Sequence, residues 1–312
     1  MDNKKTILLA LKIDVDTERG TRIGVPQLAF LLKKLSIPAT FFFSVGPDNT
    51  GRALKRVFRP GFLSKVSRTS VISTYGIRTL LNGVLLPGPH IGHKHASLMR
   101  KIQDNGFEIG IHCYDHVRWQ DGVNNMSQEK INLEFSKAQE EFTRIFGISA
   151  EAAAAPGWQA NKKTLATYDA ANLIYASDAR GQRPFFPRSG NQVFRTLQIP
   201  TTLPTLDEIL GLPSLPLNAL NAYYFSLLQA NLPNVLTIHA ELEGMKYLDW
   251  FTAFLKYMQK QGVIFTTLSS IAAEDLKDRA SIPVLELIQG EVPGRSGKLA
   301  IARTGTTTYP HT

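Results

Sequence analysis

Residues 6–16 read Thr6-Ile-Leu-Leu-Ala-Leu-Lys-Ile-Asp14-Val-Asp16. A β-rich apolar run, Thr6 to Ile13, ends on two carboxylates separated by a single residue. The run predicts a buried strand. Its end predicts a site, because Asp14 and Asp16 share one face of an extended chain. The pattern recurs along the sequence. Ala39 to Val45 leads to Gly46-Pro47-Asp48-Asn49, and Phe107 to Ile111 leads to His112. Glu151 to Ala155 leads to Pro156-Gly157-Trp158, Leu173 to Ser177 to Asp178, and Val235 to Ile238 to His239. Val263 to Leu268 is a further run without a polar ending.

Helical periodicity fills the gaps. Val25 to Leu35 repeats apolar residues at helical spacing and stops at Ser36-Ile37-Pro38. Glu129 to Phe146 sets Ile131, Phe135, Ala138, Phe142 and Ile145 on one face and closes on Gly147. Ala219 to Leu228 and Lys246 to Met258 are further helices. Strands alternating with helices predict an α/β protein with right-handed crossovers and a parallel sheet or barrel. In such folds the C-terminal strand ends share one rim, where ligands bind. The polar residues after each run then converge from distant parts of the chain.

Residues 1–281 are expected to form a single catalytic domain. Residues 52–89 are too long for an ordinary βα loop and read as an insertion of short amphipathic helices beside the rim. Residues 282–312 are a Gly- and Pro-punctuated extension whose end, 305–312, is expected to be flexible.

The chain has 312 residues, 43% of them hydrophobic, which is enough for a full core. Its lone cysteine, Cys113, excludes an intrachain disulfide. No stretch approaches the roughly 20 apolar residues that span a bilayer, and the N-terminus lacks the pattern of a signal peptide. The expected location is the cytoplasm. The net charge of +9 is concentrated: between Asn49 and Gln103 there is no Asp or Glu. The same stretch holds Arg52, Lys55, Arg56, Arg59, Lys65, Arg68, Arg78, Lys94, Arg100 and Lys101. Apolar and aromatic residues interleave with these charges, as in Lys55-Arg-Val-Phe-Arg-Pro-Gly-Phe-Leu63. That mixture favours an anionic membrane surface or a phospholipid-like substrate. No nucleic-acid recognition motif accompanies it.

Gly-Ile-His112-Cys-Tyr-Asp-His116 adds two imidazoles with three residues between them. They can close on one divalent ion together with one of the two aspartates, leaving the other aspartate as a base. His239 is a candidate acid. Such a set fits metal-assisted hydrolysis of an amide. The competing reading is ordinary polar residues at strand ends. Zinc, cobalt, nickel or manganese would each suit these ligands. Cys113 alternates away from His112 and reads as a small core residue. His93 and His95 read as phosphate contacts or as loop polar groups, and Trp158 as a sugar platform or as barrel packing. Glu241 and Glu243 flank the rim.

Asp14-Val15-Asp16, His112-x-x-x-His116, Ala155-Pro156-Gly157-Trp158, Asp178 and Leu236-Thr-Ile-His239 follow the order of the five motifs of the polysaccharide deacetylase (NodB-homology) superfamily, which the chain resembles. Longer stretches (13–26, 42–49, 91–93, 178–181, 199–208 and 237–244) resemble one branch of it. That branch deformylates 4-deoxy-4-formamido-L-arabinose carried on undecaprenyl phosphate, for lipid A modification and polymyxin resistance. The resemblance implies a distorted (β/α) barrel with one divalent metal. It implies Asp14 as base, Asp16, His112 and His116 as metal ligands, and His239 as acid, oriented by Asp178. Arg19, Asn49, His93, Trp158 and Arg180 become candidates for substrate binding. It further implies an enzyme at the cytoplasmic face of the inner membrane, held there peripherally.

The chain departs from the superfamily in two places. An arginine usually precedes the motif-3 proline and pairs with the base, but here the region is Ala152-Ala153-Ala154-Ala155. Arg180 or Arg19 would have to supply that charge. Val15 also separates aspartates that are adjacent in distant relatives. Two other functions remain open on the sequence: a deacetylase of another N-acylated sugar, and an inactive membrane- or carbohydrate-binding protein.

Overall fold

The computed structural model describes residues 6–53, 79 and 81–303. The seven strands read from the sequence all form. They are β1 (Leu8–Val15), β2 (Thr40–Ser44), β3 (Glu108–Cys113), β4 (Ala152–Ala153), β5 (Tyr175–Ala176), β9 (Pro233–His239) and β10 (Ile264–Thr266). Five more appear: β6 (Phe186–Ser189), β7 (Gln192–Val193), β8 (Leu197–Gln198), β11 (Val284–Gly290) and β12 (Leu299–Arg303).

The main sheet is parallel throughout. β1 lies at its centre, flanked along one side by β9 and on the other by β10 at its start and β2 at its end. The order then runs β2-β3-β4-β5-β8. The chain leaving β8 swings back to β9: the Thr202 and Leu203 amides donate to the Val235 carbonyl at 3.1 and 3.2 Å. The sheet thereby curls into a distorted barrel, as the resemblance implied.

β1 is buried on both faces, as a central parallel strand must be. Leu9, Leu11, Ile13 and Val15 join the outer core against the helices. Ala10 faces the barrel interior with Phe42, Ala152, Ala154, Tyr175, Leu197 and Val235, closed at the far end by Leu268, Ile271 and Ala272. Lys12 and Asp14 follow Ala10 at strand period and take the same interior direction.

The helix at Val25–Lys34 begins with Pro26 in its first turn. That at Gln128–Phe146 is capped by Ser127 and stopped by Gly147 at φ 73°. Its buried face contains the expected Ile131, Phe135, Ala138, Phe142 and Ile145. His93 and His95 are not loop residues: they lie on the helix Ile91–Asp104, which departs from helical geometry at His95.

Of the insertion, 52–89, residues 54–78 and 80 lie outside the described residues, as do residues 305–312. The extension is more structured than its glycines and prolines suggest. β12, β11, β6 and β7 form a second sheet. It is fastened to the barrel at Arg180, whose N–H donates to Ala300 O and whose carbonyl accepts from Ala302 N, both at 2.9 Å.

Candidate metal centre and active rim

Asp14 is paired across the sheet with His239 on β9 and with Phe42 on β2. One bend later, Asp16 meets two imidazoles: its Oδ1 lies 3.2 Å from His112 Nε2 and 3.4 Å from His116 Nε2. His112 is the penultimate residue of β3. His116 opens the helix His116–Gly122, whose N-cap is Asp115. One ligand atom from each of Asp16, His112 and His116 lies within 4.8 Å of the others. Asp16 Oδ1, His112 Nδ1 and Asp14 Oδ1 are buried and have no hydrogen-bond partner among the described residues.

The electrostatics point the same way. Burial opposes ionisation of Asp16, yet His116 and His112 hold it well below the usual carboxylate range. Burial pulls His112 down, but the charges of Asp14 and Asp16 more than offset it and leave its pKa raised. A site that favours extra positive charge on the His112 imidazole would also favour a divalent cation beside it. Asp16 Oδ1, buried without a hydrogen-bond partner among the described residues and facing two imidazole nitrogens, therefore fits a metal ion held by Asp, His and His.

The bend carrying Asp16 is itself anchored. Glu241 Oε1 accepts from Asp16 N (3.1 Å), Thr17 N (2.9 Å) and Thr17 Oγ1 (2.7 Å). Burial, reinforced by the charge of Asp16, raises the Glu241 pKa well above normal. Glu243 Oε2 accepts from the His239 amide at 2.9 Å, and burial lifts its pKa to about 8. Neither glutamate could be given a role from the sequence, although both stand at strand-end positions in His239-Ala-Glu-Leu-Glu243.

Other expected site residues take different positions. Trp158 is 2% exposed. Its Nε1 donates to Thr201 Oγ1 at 3.0 Å, and Lys12, Arg180 and Arg295 lie 5.4, 5.1 and 4.6 Å from its ring. A ring enclosed in this way offers no open face to a sugar. Arg180 is buried against Glu208 at 2.6 Å and Leu203 O at 3.0 Å, so it binds the fold and makes no ion pair with Asp14. Asn49 donates to Asp115 Oδ2 at 2.6 Å and steadies the cap of the His116 helix. His93 lies 3.2 Å from Glu141 on the outer helices. Arg19 stays half-buried three residues after Asp16.

Asp178 does not orient His239 through a hydrogen bond. Its oxygens accept from Ala155 N at 2.6 Å and Gln198 Nε2 at 3.3 Å, while His239 Nδ1 is buried without a partner among the described residues. Burial raises Asp178 to about 6 against the pull of the Ala155 amide. The cation beside Asp14 is Lys12, with Nζ 3.4 Å from Oδ2. A lysine inside an apolar strand, two residues before a carboxylate on the same face, was the available signal.

A family model described as polysaccharide deacetylase matches residues 4–176. A Shewanella sediminis protein named "Probable 4-deoxy-4-formamido-L-arabinose-phosphoundecaprenol deformylase" is 36% identical over 302 residues, covering 96% of each chain. A Wigglesworthia glossinidia brevipalpis protein of the same name is 36% identical over 283 residues, covering 90% of this chain and 97% of its own. Among solved structures, a Mycobacterium smegmatis chain described as a polysaccharide deacetylase superposes with TM-score 0.61 at 18% identity, covering 94% of this chain and 97% of its own. Puue allantoinase superposes with TM-score 0.58 at 16% identity, covering 89% and 92%. These two show the fold.

Proposed function

The chain belongs to the polysaccharide deacetylase family, and from that premise we propose that it is a deformylase of 4-deoxy-4-formamido-L-arabinose carried on undecaprenyl phosphate. The observation that carries the reading is the convergence of His112 and His116 on Asp16, beside an Asp14–His239 pair on adjacent strands. Relatives 36% identical over nearly their full length supply the substrate.

Asp16, His112 and His116 would hold one divalent ion, which when bound polarises the formyl carbonyl and acidifies water. Zinc, cobalt, nickel and manganese all suit this donor set. Asp14, with Oδ1 unpaired, is the proton acceptor for the attacking water. His239, with Nδ1 unpaired, is the proton donor to the departing nitrogen. Water thus adds across the C–N bond: its oxygen goes to the formyl carbon to give formate, and its proton reaches the nitrogen to give the amine. Asp178 fixes the Ala155 backbone beneath them. Arg19 is the candidate contact for the substrate phosphate.

The protein is held peripherally at the inner face of the cytoplasmic membrane. No helix among the described residues is long and apolar enough to cross a bilayer. Support comes from the acid-free basic block and from Val84, Leu85 and Leu86, which are 55%, 75% and 40% exposed beside the Asn49 loop. Such a surface suits anionic headgroups and acyl chains together.

Mass spectrometry of products from the formamido-arabinose lipid and its N-acetyl analogue tests the activity. Formate and free amine are expected from the first. Turnover of the acetyl compound alone would make the protein a deacetylase. Turnover of neither by metal-loaded protein would leave a binding protein. For the membrane reading, replacing Lys55, Arg56, Arg59 and Lys65 with Gln should weaken sedimentation with anionic vesicles, and salt should do the same. Sedimentation indifferent to both would reduce the block to a solvated face.

A further inference from the structure

We propose that Lys12 is a positioning residue of this reaction: inside the barrel it aims the Asp14 carboxylate and supplies the positive charge opposite it. Lys12 is 0% exposed. An amine taken wholly out of water is costly unless paired and hydrogen-bonded. Its partners are few and specific. Nζ donates to Ser177 O at 2.9 Å and lies 3.4 Å from Asp14 Oδ2. The rings of Phe42 and Trp158 face it at 5.9 and 5.4 Å. The apolar end of the barrel lies behind it, and the strand period directs it toward Asp14.

Among the described residues, the only other basic group within ion-pair reach of Asp14 is His112, at 3.9 Å. Arg180 is committed to Glu208, and Ala152 to Ala155 offer no charge. The two oxygens of Asp14 thus differ. Oδ2 is held by Lys12, while Oδ1 has no hydrogen-bond partner among the described residues. Lys12 presents one defined oxygen to the proton it must take and keeps the other from turning away. Its bond to Ser177 O ties this arrangement to the chain just before Asp178.

The inference rests on the reading of Asp14 as base, so its test separates the two. Metal-loaded wild type, Lys12→Met, Lys12→Arg, Asp14→Asn and the Lys12→Met/Asp14→Asn double variant are compared for kcat, KM and bound metal. Asp14→Asn tests the base: near-normal turnover with full metal would overturn that reading and this one with it. With the base confirmed, Lys12→Met should lower kcat about 10²-fold with KM and metal content little changed, a cost typical of losing one preorganised charge. Lys12→Arg should recover much of it. In the Asp14→Asn background the same Met substitution should cost less than about 3-fold, because the residue acts through Asp14. An equal loss in both backgrounds would make Lys12 a support of the fold alone. If Lys12→Met fails to fold, the double variant decides. Folding as Asp14→Asn does, with equal residual turnover, supports the pairing. Failure of the double variant as well overturns it.

Discussion

Replacing Glu243 by glutamine should change how stability depends on pH, by an amount that follows from its surroundings. The side chain is 1% exposed, its Oε2 accepts the His239 amide, and burial raises its pKa from 4.5 to about 8. The folded value lies above the unfolded one, so the folded state holds the proton more tightly. Stability from this group is complete below pH 4.5 and is lost as pH rises toward 8. At pH 7 the 2.5 pH units above the unfolded value correspond to about 3 kcal/mol. Glutamine keeps the acceptor oxygen and the shape but cannot ionise. Urea unfolding of both proteins at matched metal content, from pH 4.5 to 8, gives the difference directly. The variant should gain on wild type by about 1.4 kcal/mol per pH unit across most of that range. Other titrating groups, the metal-site imidazoles included, cancel in the subtraction. Two parallel stability curves would mean that Glu243 is already ionised in the fold, and the argument from burial would fail.

Three further outcomes follow from the same site. Gly20→Ala would place a Cβ 1.9 Å from Glu241 Oε1, the oxygen that anchors Asp16 and Thr17, and should cost about 2–4 kcal/mol while weakening metal affinity; an unchanged melting curve and metal titration would show that Glu241 moves aside freely. His112→Ala and His116→Ala should each lower bound metal and turnover together, as elemental analysis can show, and full metal in either variant would remove that residue from the ligand set. His239→Ala should keep its metal and slow an amide far more than an activated ester, because only the amide needs a proton on its leaving group; equal losses would reassign His239 to substrate positioning.

Six of the seven strands that the sequence revealed share one property: an apolar run that ends on a polar residue or a turn; only the Val263 to Leu268 run lacks that ending. Two of the strands that it hid lack one half of that signal, whereas β12, Leu299-Ala-Ile-Ala-Arg303, carries it and was missed inside the Gly- and Pro-punctuated extension. β8 is two residues long, and β11 is half-buried along most of its length, so neither has a continuous run to read. The candidate metal ligands were legible because the paired aspartates and the paired histidines are each locally spaced. The surroundings of the other candidate residues were not legible, because their partners lie far away in sequence. Nothing near Asn49 announces Asp115, and nothing near Arg180 announces Glu208. Trp158 depends on cations from three separate segments. Lys12 was passed over for the opposite reason. Its partner is two residues away, but a lysine in a strand is ordinarily read as a solvent-facing charge.

The indole of Trp158 gathers Lys12 from β1, Arg180 from the segment after β5 and Arg295 from the loop between β11 and β12. Arg295 also reaches Glu208 at 2.8 Å and Asp207 at 3.2 Å. A chain cut ahead of residue 295 would therefore lose more than surface. Glu208 would keep one guanidinium where it had two, and water would enter beside the indole, directly below the charge that faces Asp14. If Asp14 is the base as proposed, the extension seals the wall of its chamber. A minimal fragment that stops at the barrel would be a leaking vessel, folded in outline and slow in turnover.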